Sequence, residues 1–554
     1  MKSLLAKLKK ILKAIIQITK QKGIKGLIQA SVNYIRYGKA VVDEYAEWIE
    51  VNEPNEKQLN IQKKYESCQN IDFAIVLEEE QEQIIQSINN QTYSRWTIIK
   101  NGTSNILENN NSDYTIFIGK DIELASFALY DIVKTIEGHD GILYYSDNDF
   151  KINGKRQEPR FKPDFAIDTL LSKNYIGNMI AIKTKFLKRY PKILENLNKD
   201  IYYDLLLRIS EKTQEIIHIP RILYHDLIED KQVDTETQKI ILKQYLERKE
   251  IPYKSIEDGM YKGNYKIQYE IIGEPKVSLV VPNKDHIEDL QKLIQSVEKS
   301  TYQNYEVVIV ENNSEEKETF EYYQRIIEQN SKIRVEKFDI KYFNYSAIVN
   351  FGVEKATGKY VILLNNDIEI LTPDWIEQML MYTQRKDVGI CGIKLYFPDK
   401  SIQHAGVTIG VRGLAGHRSR EIQEKDFKED DYINIVQNLS AVTAACFMVE
   451  KELYEELLGF DEKLAVAFND VDFCLKVRKK GLLIVYNPFA YGYHYESKSR
   501  GEDTENSEKQ QRFAKEYELF VKRWAEVINR GDPYYNRNYR LDTDVPKINY
   551  HLCS

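Results

Sequence analysis

Six short stretches in the second half of the sequence gather carboxylates, amides and imidazoles at the ends of apolar runs. In LLNNDIEI, Asn365, Asn366 and Asp367 follow a wholly apolar run. Hard divalent cations take oxygen ligands, commonly one or two carboxylates together with substrate phosphates, so Asp367 suits a metal ligand; a turn or helix cap is the other reading. In FNDVDFCLKVRKKG, Asp470 opens a helical pattern and suits a general base for an attacking hydroxyl, with Asp472 as a helix-capping alternative. YHYESKSRG sets His494, Lys498 and Arg500 in one loop. His494 could complete a metal shell and the two basic residues could clamp phosphates, unless the loop is merely salt-bridged surface. In VENNS, Glu311, Asn312 and Asn313 could read ribose hydroxyls or a base edge, or form a turn. In NYSAIVNFG, the amides of Asn344 and Asn350 could approach a diphosphate, or Asn344 could be an N-cap. VVPNKD adds Pro282, Asn283 and Asp285. A nucleoside diphosphate sugar would give every cluster a task. His404 and His417, beside glycines in QHAG and AGHR, are polar candidates or structural histidines.

Elements that could bring these clusters together are visible in the apolar periodicity. Strands are expected over Val277 to Val281, Glu306 to Val310, Arg334 to Lys337 and Tyr360 to Leu364. Helices are expected over Ile287 to Lys299, near Lys317 to Gln329 and near Ser346 to Lys355. Alternation of strand and helix implies a parallel sheet, and ligands of open α/β sheets sit at the carboxyl ends of the strands. Those ends are where the polar clusters lie.

A phrase of this region also occurs earlier. SINNQTYSRWTIIKNGTS from Ser87 parallels SVEKSTYQNYEVVIVENNS from Ser296, so two related α/β domains in tandem are expected. Polar sequence from Glu50 to Asn70 and the stretch from Lys262 to Pro275 read as linkers. The resulting division is a basic arm and linker (1–70), a first domain (71–270), a second domain (271–540) and a tail (541–554).

The 554 residues carry a net charge of -7, which argues against a general nucleic-acid binder. Residues 1–40 hold ten Lys and Arg and no acid, with Leu4, Leu8, Ile11, Leu12 and Ile15 at helical spacing. Such an arm can lie on an anionic membrane surface or pack on the protein body. No apolar run of about 20 residues is present, so a membrane span is not expected. The lysines within the arm disfavour a cleaved signal peptide. Five scattered cysteines without CxxC spacing indicate neither a disulfide framework nor a zinc site, and favour a reducing cytoplasm.

Taken in order, VPNKD, VENNS, NYSAIVNFG, LLNNDIE, SIQHAGV, SAVTAACF, GFDEKLAVAFNDVDFCLKVR and YHYESKSRG resemble family 2 glycosyltransferases of the bacterial polysaccharide and rhamnan type. The resemblance runs from about Val277 to Trp524. It implies the GT-A fold, an inverting transfer from a UDP-, dTDP- or GDP-sugar to a glycan or lipid-linked acceptor, and Mn²⁺ or Mg²⁺. It also implies that Asp367 is the last acidic position of a DxD-like motif, Asp470 the base and His494 a metal ligand. Asn365 departs from the pattern at the first carboxylate, and Glu311 stands where aspartate is usual. The first domain resembles the same family through QTYSRW, YYSDNDFKINGKR, FKPDF, YYDLLLR and HIPRILYH, in degenerate form. Tyr202 stands at the base position, and Asp121 survives in IGKDIE. The expectation is an active second domain beside a non-catalytic first, working in surface-glycan synthesis at the cytoplasmic face of a membrane. The alternative is a non-catalytic glycan-binding scaffold.

Overall fold

The structure is a computed structural model that describes residues 44–65, 70–99, 106–107, 110–228, 233–427, 432–495 and 507–549. The chain divides into two compact units, one of residues 1–55 and 548–554 and one of residues 56–547. In the first unit the described part is chiefly the helix Glu44–Asn52. The basic arm expected over residues 1–40 lies outside the described residues. The polar stretch read as a linker begins in the last turn of that helix and holds, in the second unit, the helix Glu56–Gln62.

The second unit contains two large mixed sheets. The first comprises β1 (Phe73–Leu77), β2 (Trp96–Ile99), β3 (Tyr114–Ile118), β4 (Ile122–Leu124), β5 (Leu143–Ile152), β6 (Lys155–Arg160), β7 (Met179–Lys183) and β8 (Ile216–Asp226). Their order is β2-β1-β3-β7-β5-β8-β4, with β6 on β5. A hairpin of β9 (Tyr253–Asp258) and β10 (Tyr265–Tyr269) follows, so part of the second expected linker is a strand. The second sheet comprises β11 (Val277–Asn283), β12 (Tyr305–Glu311), β13 (Ile333–Lys337), β14 (Tyr360–Leu364), β15 (Ile368–Ile370), β16 (Val388–Tyr396) and β17 (Ile402–His404). Beyond a separate pair, β18 (Val407–Ile409) and β19 (Ala415–His417), it is completed by β20 (Gln437–Leu439), β21 (Cys446–Glu450) and β22 (Leu483–His494). Its order is β13-β12-β11-β14-β21-β16-β22-β15.

The two sheets have the same plan. In each, two parallel strands meet a third (β2-β1-β3; β12-β11-β14), which pairs antiparallel with a later strand (β7; β21). That strand pairs antiparallel with the next, which lies parallel to the last long strand (β5 with β8; β16 with β22). A three-residue strand closes the edge of each (β4; β15). Among the described residues the first sheet lacks a counterpart to β13, and its path from β2 to β3 is correspondingly short. The expected α/β class, with two tandem sheets of one plan, is what the chain adopts.

Sequence explains the parallel half. β14 is buried at every position and β11 at all but Pro282, as strands covered on both faces must be. The helix Ile287–Val297 buries Leu290, Leu293, Ile294 and Val297, one stripe at helical spacing. Gly352 lets the helix Tyr345–Lys355 lie directly on the sheet: a Cβ there would stand 2.4 Å from Val280 Cγ1 and 2.7 Å from Val310 Cγ2.

One apolar core continues from the first sheet through the hairpin into the second. Tyr269 and Tyr382 meet edge to face there, with ring centroids 5.2 Å apart. At this seam the buried Asp168 pairs with Arg385. Asp168 also accepts from Asn438 Nδ2 at 2.6 Å, while its own N–H donates to Asn438 Oδ1 at 2.9 Å. A second tie is made by the segment after the last helix. Asn536 Nδ2 donates to the carboxylate of Asp147 at 3.0 Å, and Asn538 Nδ2 does so at 3.2 Å. Residues 541–547 of the expected tail are also engaged, with Asp544 paired to Arg412.

Candidate active site

Asp367 follows β14 and precedes β15, which pairs antiparallel with the end of β22 so that Ile368 lies opposite His494. Close approach is needed here. A Cβ on Gly492 would lie 2.6 Å from Glu369 O. The result sets His494 Nε2 3.1 Å from Asp367 Oδ1. On the other side of the ring, Nδ1 is 2.8 Å from Gln403 Oε1. An amide oxygen can only accept, so Nδ1 carries a proton; on a neutral ring the Nε2 lone pair would face Asp367. A lone pair and a carboxylate oxygen at that separation are the donor set of a cation, one nitrogen and one oxygen. Among the described residues no group of three or more His, Cys, Asp or Glu could hold a metal. The nitrogen–oxygen pair of Asp367 and His494 suits two neighbouring ligands of a cation whose other ligands would be phosphate and water.

Asn365 and Asn366 steady this pair. Asn365 Oδ1 accepts from the Tyr345 hydroxyl at 2.9 Å, and its Nδ2 is 3.3 Å from His494 Nε2. Asn366 Nδ2 donates to Asn283 Oδ1 at 2.7 Å. From there a chain of hydrogen bonds runs along the strand ends: Asn283 Nδ2 to the Tyr323 hydroxyl, and that hydroxyl to Glu311 Oε2, each at 2.7 Å. The carboxyl ends of β11, β12 and β14 thus meet at one place, as expected.

Asp470 is the second residue of the helix Asn469–Lys479, entered through Phe468 in a left-handed conformation (φ 64°). Its Oδ1 accepts from Val471 N at 2.8 Å and its Oδ2 from Ala444 N at 3.2 Å. A carboxylate has about four lone-pair sites, so these two bonds leave room for a hydroxyl. Burial, and then the charges of Asp470 and Asp367, push the Tyr345 hydroxyl well above the ordinary tyrosine range, so it is a neutral donor beside both carboxylates.

Several expected ligand contacts have other tasks. Asn344 is the N-cap of its helix, accepting from Ala347 N at 3.0 Å. Asn350 is taken up on both sides of its amide: Nδ2 donates to Phe460 O, and Oδ1 accepts from the Tyr454 hydroxyl and Phe460 N. Neither amide is directed to a diphosphate. Glu311 is buried and accepts from Ser314 N, Ser314 Oγ and Tyr323, which makes it the organiser of its own loop. Asn313 (φ 57°) clamps the backbone of Ile340 through both ends of its amide. Asp285 (φ 50°) accepts from Glu315 N and Glu316 N, each at 3.0 Å, at the start of the helix Lys317–Gln329. Pro282 is half-buried within β11, where its neighbour Asn283 does the bonding. Asp472 caps nothing; buried, it pairs with Arg523 and accepts from Trp524 Nε1 at 2.9 Å, tying its helix to Ser507–Arg530. Lys498 and Arg500 lie outside the described residues.

Sequence reasoning passed over Gln403, Tyr345 and Tyr323. Gln403 stood inside the quoted SIQHAGV, but adjacent strand residues point to opposite faces, and attention went to His404.

The same positions can be read in the first sheet. Asp121 precedes β4 as Asp367 precedes β15, and Tyr495 N–H to Asp367 O (3.0 Å) is matched by Leu227 N–H to Asp121 O (2.9 Å). Asn365 N–H to Ala445 O (2.9 Å) is matched by Gly119 N–H to Asn178 O (2.8 Å). By register Asp226 takes the place of His494, and Tyr202, buried, is the second residue of the helix before β8 as Asp470 is before β22. Asp121 is bound to Gln81 through its side chain (3.1 Å) and its N–H (3.0 Å).

Residues 278–458 match the model of glycosyl transferase family 2. An uncharacterized protein of Sinorhizobium fredii, y4gI, is 34% identical over 448 residues, covering 77% of this chain and 48% of that protein. The O-antigen biosynthesis protein RfbC of Myxococcus xanthus is 31% identical over 444 residues, covering 77% of this chain and 34% of that protein. The chain thus spans half or less of the length of these relatives. Among solved structures, GalNAc-T7 with UDP, GalNAc and Mn²⁺ overlaps at a TM-score of 0.39 and 16% identity, over 50% of this chain and 53% of that one. The mannosyltransferase PcManGT of Pyrobaculum calidifontis, with GDP-Man and Mn²⁺, overlaps at 0.33 and 14%, over 51% and 72%. The match to glycosyl transferase family 2 is confined to residues 278–458.

Proposed function

We propose that the second sheet and its helices transfer a glycosyl group from a nucleoside diphosphate sugar to a hydroxyl of a glycan or lipid-linked acceptor, inverting the anomeric centre in one displacement. The observation that carries this reading is the pair of Asp367 Oδ1 and His494 Nε2, 3.1 Å apart at the strand ends. Asp367 and His494 would hold Mn²⁺ or Mg²⁺; such an ion, when bound, neutralises the departing diphosphate. Asp470, fixed by two backbone N–H groups, takes the proton from the acceptor hydroxyl as that oxygen attacks. Gln403 holds the His494 ring by Nδ1, and Asn365 with Tyr345 keeps its other edge in place.

The first sheet, with Tyr202 and Asp226 in the corresponding places, serves as a non-catalytic support. The likeness to an O-antigen biosynthesis protein favours surface polysaccharide as the product, with a hexosyl or rhamnosyl group as cargo. Among the described residues no helix is long and apolar enough to cross a membrane. Action at the cytoplasmic membrane surface, with the basic residues 1–40 as the contact, belongs to the same proposal.

Nucleotide release from a panel of UDP-, dTDP- and GDP-sugars, with and without Mn²⁺ or Mg²⁺, tests the reading. Metal-dependent release from one donor is expected. A chain that binds a glycan but neither binds nor turns over any donor would be a scaffold instead.

A further inference from the structure

The helix that carries Asp470 starts without an ordinary N-cap. At that position a Ser, Thr, Asp or Asn side chain usually accepts from the N–H of the second or third helical residue, here Asp470 or Val471. Phe468 holds the position instead, in a left-handed conformation (φ 64°) and with no acceptor to offer. Asn469 takes over the task one residue later: its Oδ1 accepts from Asp470 N at 2.8 Å, and the Asp470 carboxylate takes the Val471 N–H. The Cβ of an aromatic residue disfavours the left-handed region, so surrounding contacts must hold Phe468 there.

Those contacts come from two helices distant in sequence. The buried Asn469 donates through Nδ2 to Ser346 Oγ at 3.1 Å, at the start of the helix Tyr345–Lys355. Ser346 in turn donates from Oγ to Leu464 O at 2.5 Å and from its N–H to Ala465 O at 3.3 Å. From the helix Ser507–Arg530, the buried Glu516 accepts the Ala467 N–H at 2.6 Å, with Arg512 Nε 3.5 Å from its other oxygen. Phe513 and Phe520 of that helix flank the Phe468 ring, their centroids 5.5 Å and 5.1 Å away. Arg523 pairs with Asp461 before the turn and with Asp472 after it. The chain that leads to the base is thus tied to both helices, while Asp470 itself is only half-buried.

We propose that Asn469 and Glu516 are positioning residues for Asp470: together they hold the left-handed turn at Phe468 that sets the direction of the base. The assignment rests on the transferase reading above. A residue that acts only through Asp470 loses its effect once that carboxylate is gone, whereas one that merely supports the fold weakens the chain with or without it.

The test is nucleotide release by the full chain with Mn²⁺, from whichever UDP-, dTDP- or GDP-sugar it turns over, in the wild-type and the Asp470→Asn backgrounds. In the wild-type background Asn469→Ala and Glu516→Ala should each lower kcat about 10- to 100-fold, the cost of misplacing a reacting group by about 1 Å, with donor affinity by calorimetry within about twofold. Glu516→Gln, which keeps an oxygen for the Ala467 N–H, should recover most of the loss. In the Asp470→Asn background the same two alanine substitutions should leave the residual rate within about twofold. The two residues reach the turn from different elements, so either alanine variant alone decides the matter if the other does not fold. Equal losses in both backgrounds, or a wild-type kcat in the alanine variants, would overturn the proposal and leave the transferase reading intact. A wild type that neither binds nor turns over any donor would overturn that reading, and this assignment with it.

Discussion

The two sheets share strand order, pairing sense and even the backbone hydrogen bonds flanking Asp121 and Asp367, yet they differ at nearly every side chain that could do chemistry. Asp367 faces an imidazole, where Asp121 has Asp226 across the register. A carboxylate heads the helix before β22, where Tyr202 is buried in the helix before β8. Asn365 steadies a histidine, while Gly119 at the same place has no side chain to offer. The backbone plan is set by buried apolar strands and recurs in both sheets; on the proposed reading the chemistry rests on a few residues at the strand ends of the second.

That contrast can be broken most sharply at the base. Asp470→Asn should lower kcat about 10²- to 10⁴-fold, the range of general base catalysis, with donor affinity within about twofold by calorimetry. Next in size is the seam between the sheets. If the first sheet is a support, Arg385→Ala, which strands Asp168 in the interior, should cost about 3–5 kcal/mol in denaturant unfolding. Unchanged stability would mean that the second sheet does not depend on the first. Gln403→Leu should raise the Mn²⁺ concentration for half-maximal rate about 10- to 100-fold, since it releases the His494 ring.

A smaller effect distinguishes β12 from β2, where Glu306 and Thr97 occupy corresponding registers. Burial works against the Glu306 carboxylate, but donors from Ser278, Thr357 and Lys276 outweigh it and hold its pKa at about 2, below the ordinary 4.5. A carboxylate depressed in the fold adds stability above its unfolded value and loses it as pH falls. The wild type should therefore weaken between pH 4.5 and about 2. Glu306→Gln should show a flatter profile across that window and a loss of about 1–3 kcal/mol at neutral pH.

Much of the parallel half could be read in advance. The helix Lys317–Gln329 and the strand Tyr360–Leu364 have the expected ends because apolar periodicity is strong there and polar clusters stop it. β11 runs on to Asn283, two residues further than its apolar pattern, since parallel pairing with β12 continues to Glu311. The antiparallel half was harder, because its register joins residues far apart: Asn350 is spent on Phe460 and Tyr454, and Arg385 on Asp168, contacts that no local pattern reveals. For the same reason Asp367 and His494 could be named from their motifs, while Gln403 and Tyr345, which hold them, could not. The hairpin β9–β10 was masked by the glycine and asparagine of its turn, which look like a linker when the partner strand is not in view.

The most direct test of a single active site is nucleotide release from the preferred donor with Mn²⁺, measured side by side for the wild type, Asp470→Asn and Asp121→Asn. The account predicts that release is all but lost in Asp470→Asn and unchanged in Asp121→Asn. Loss of activity in Asp121→Asn, with Asp470→Asn still active, would move the catalytic centre to the first sheet and contradict it.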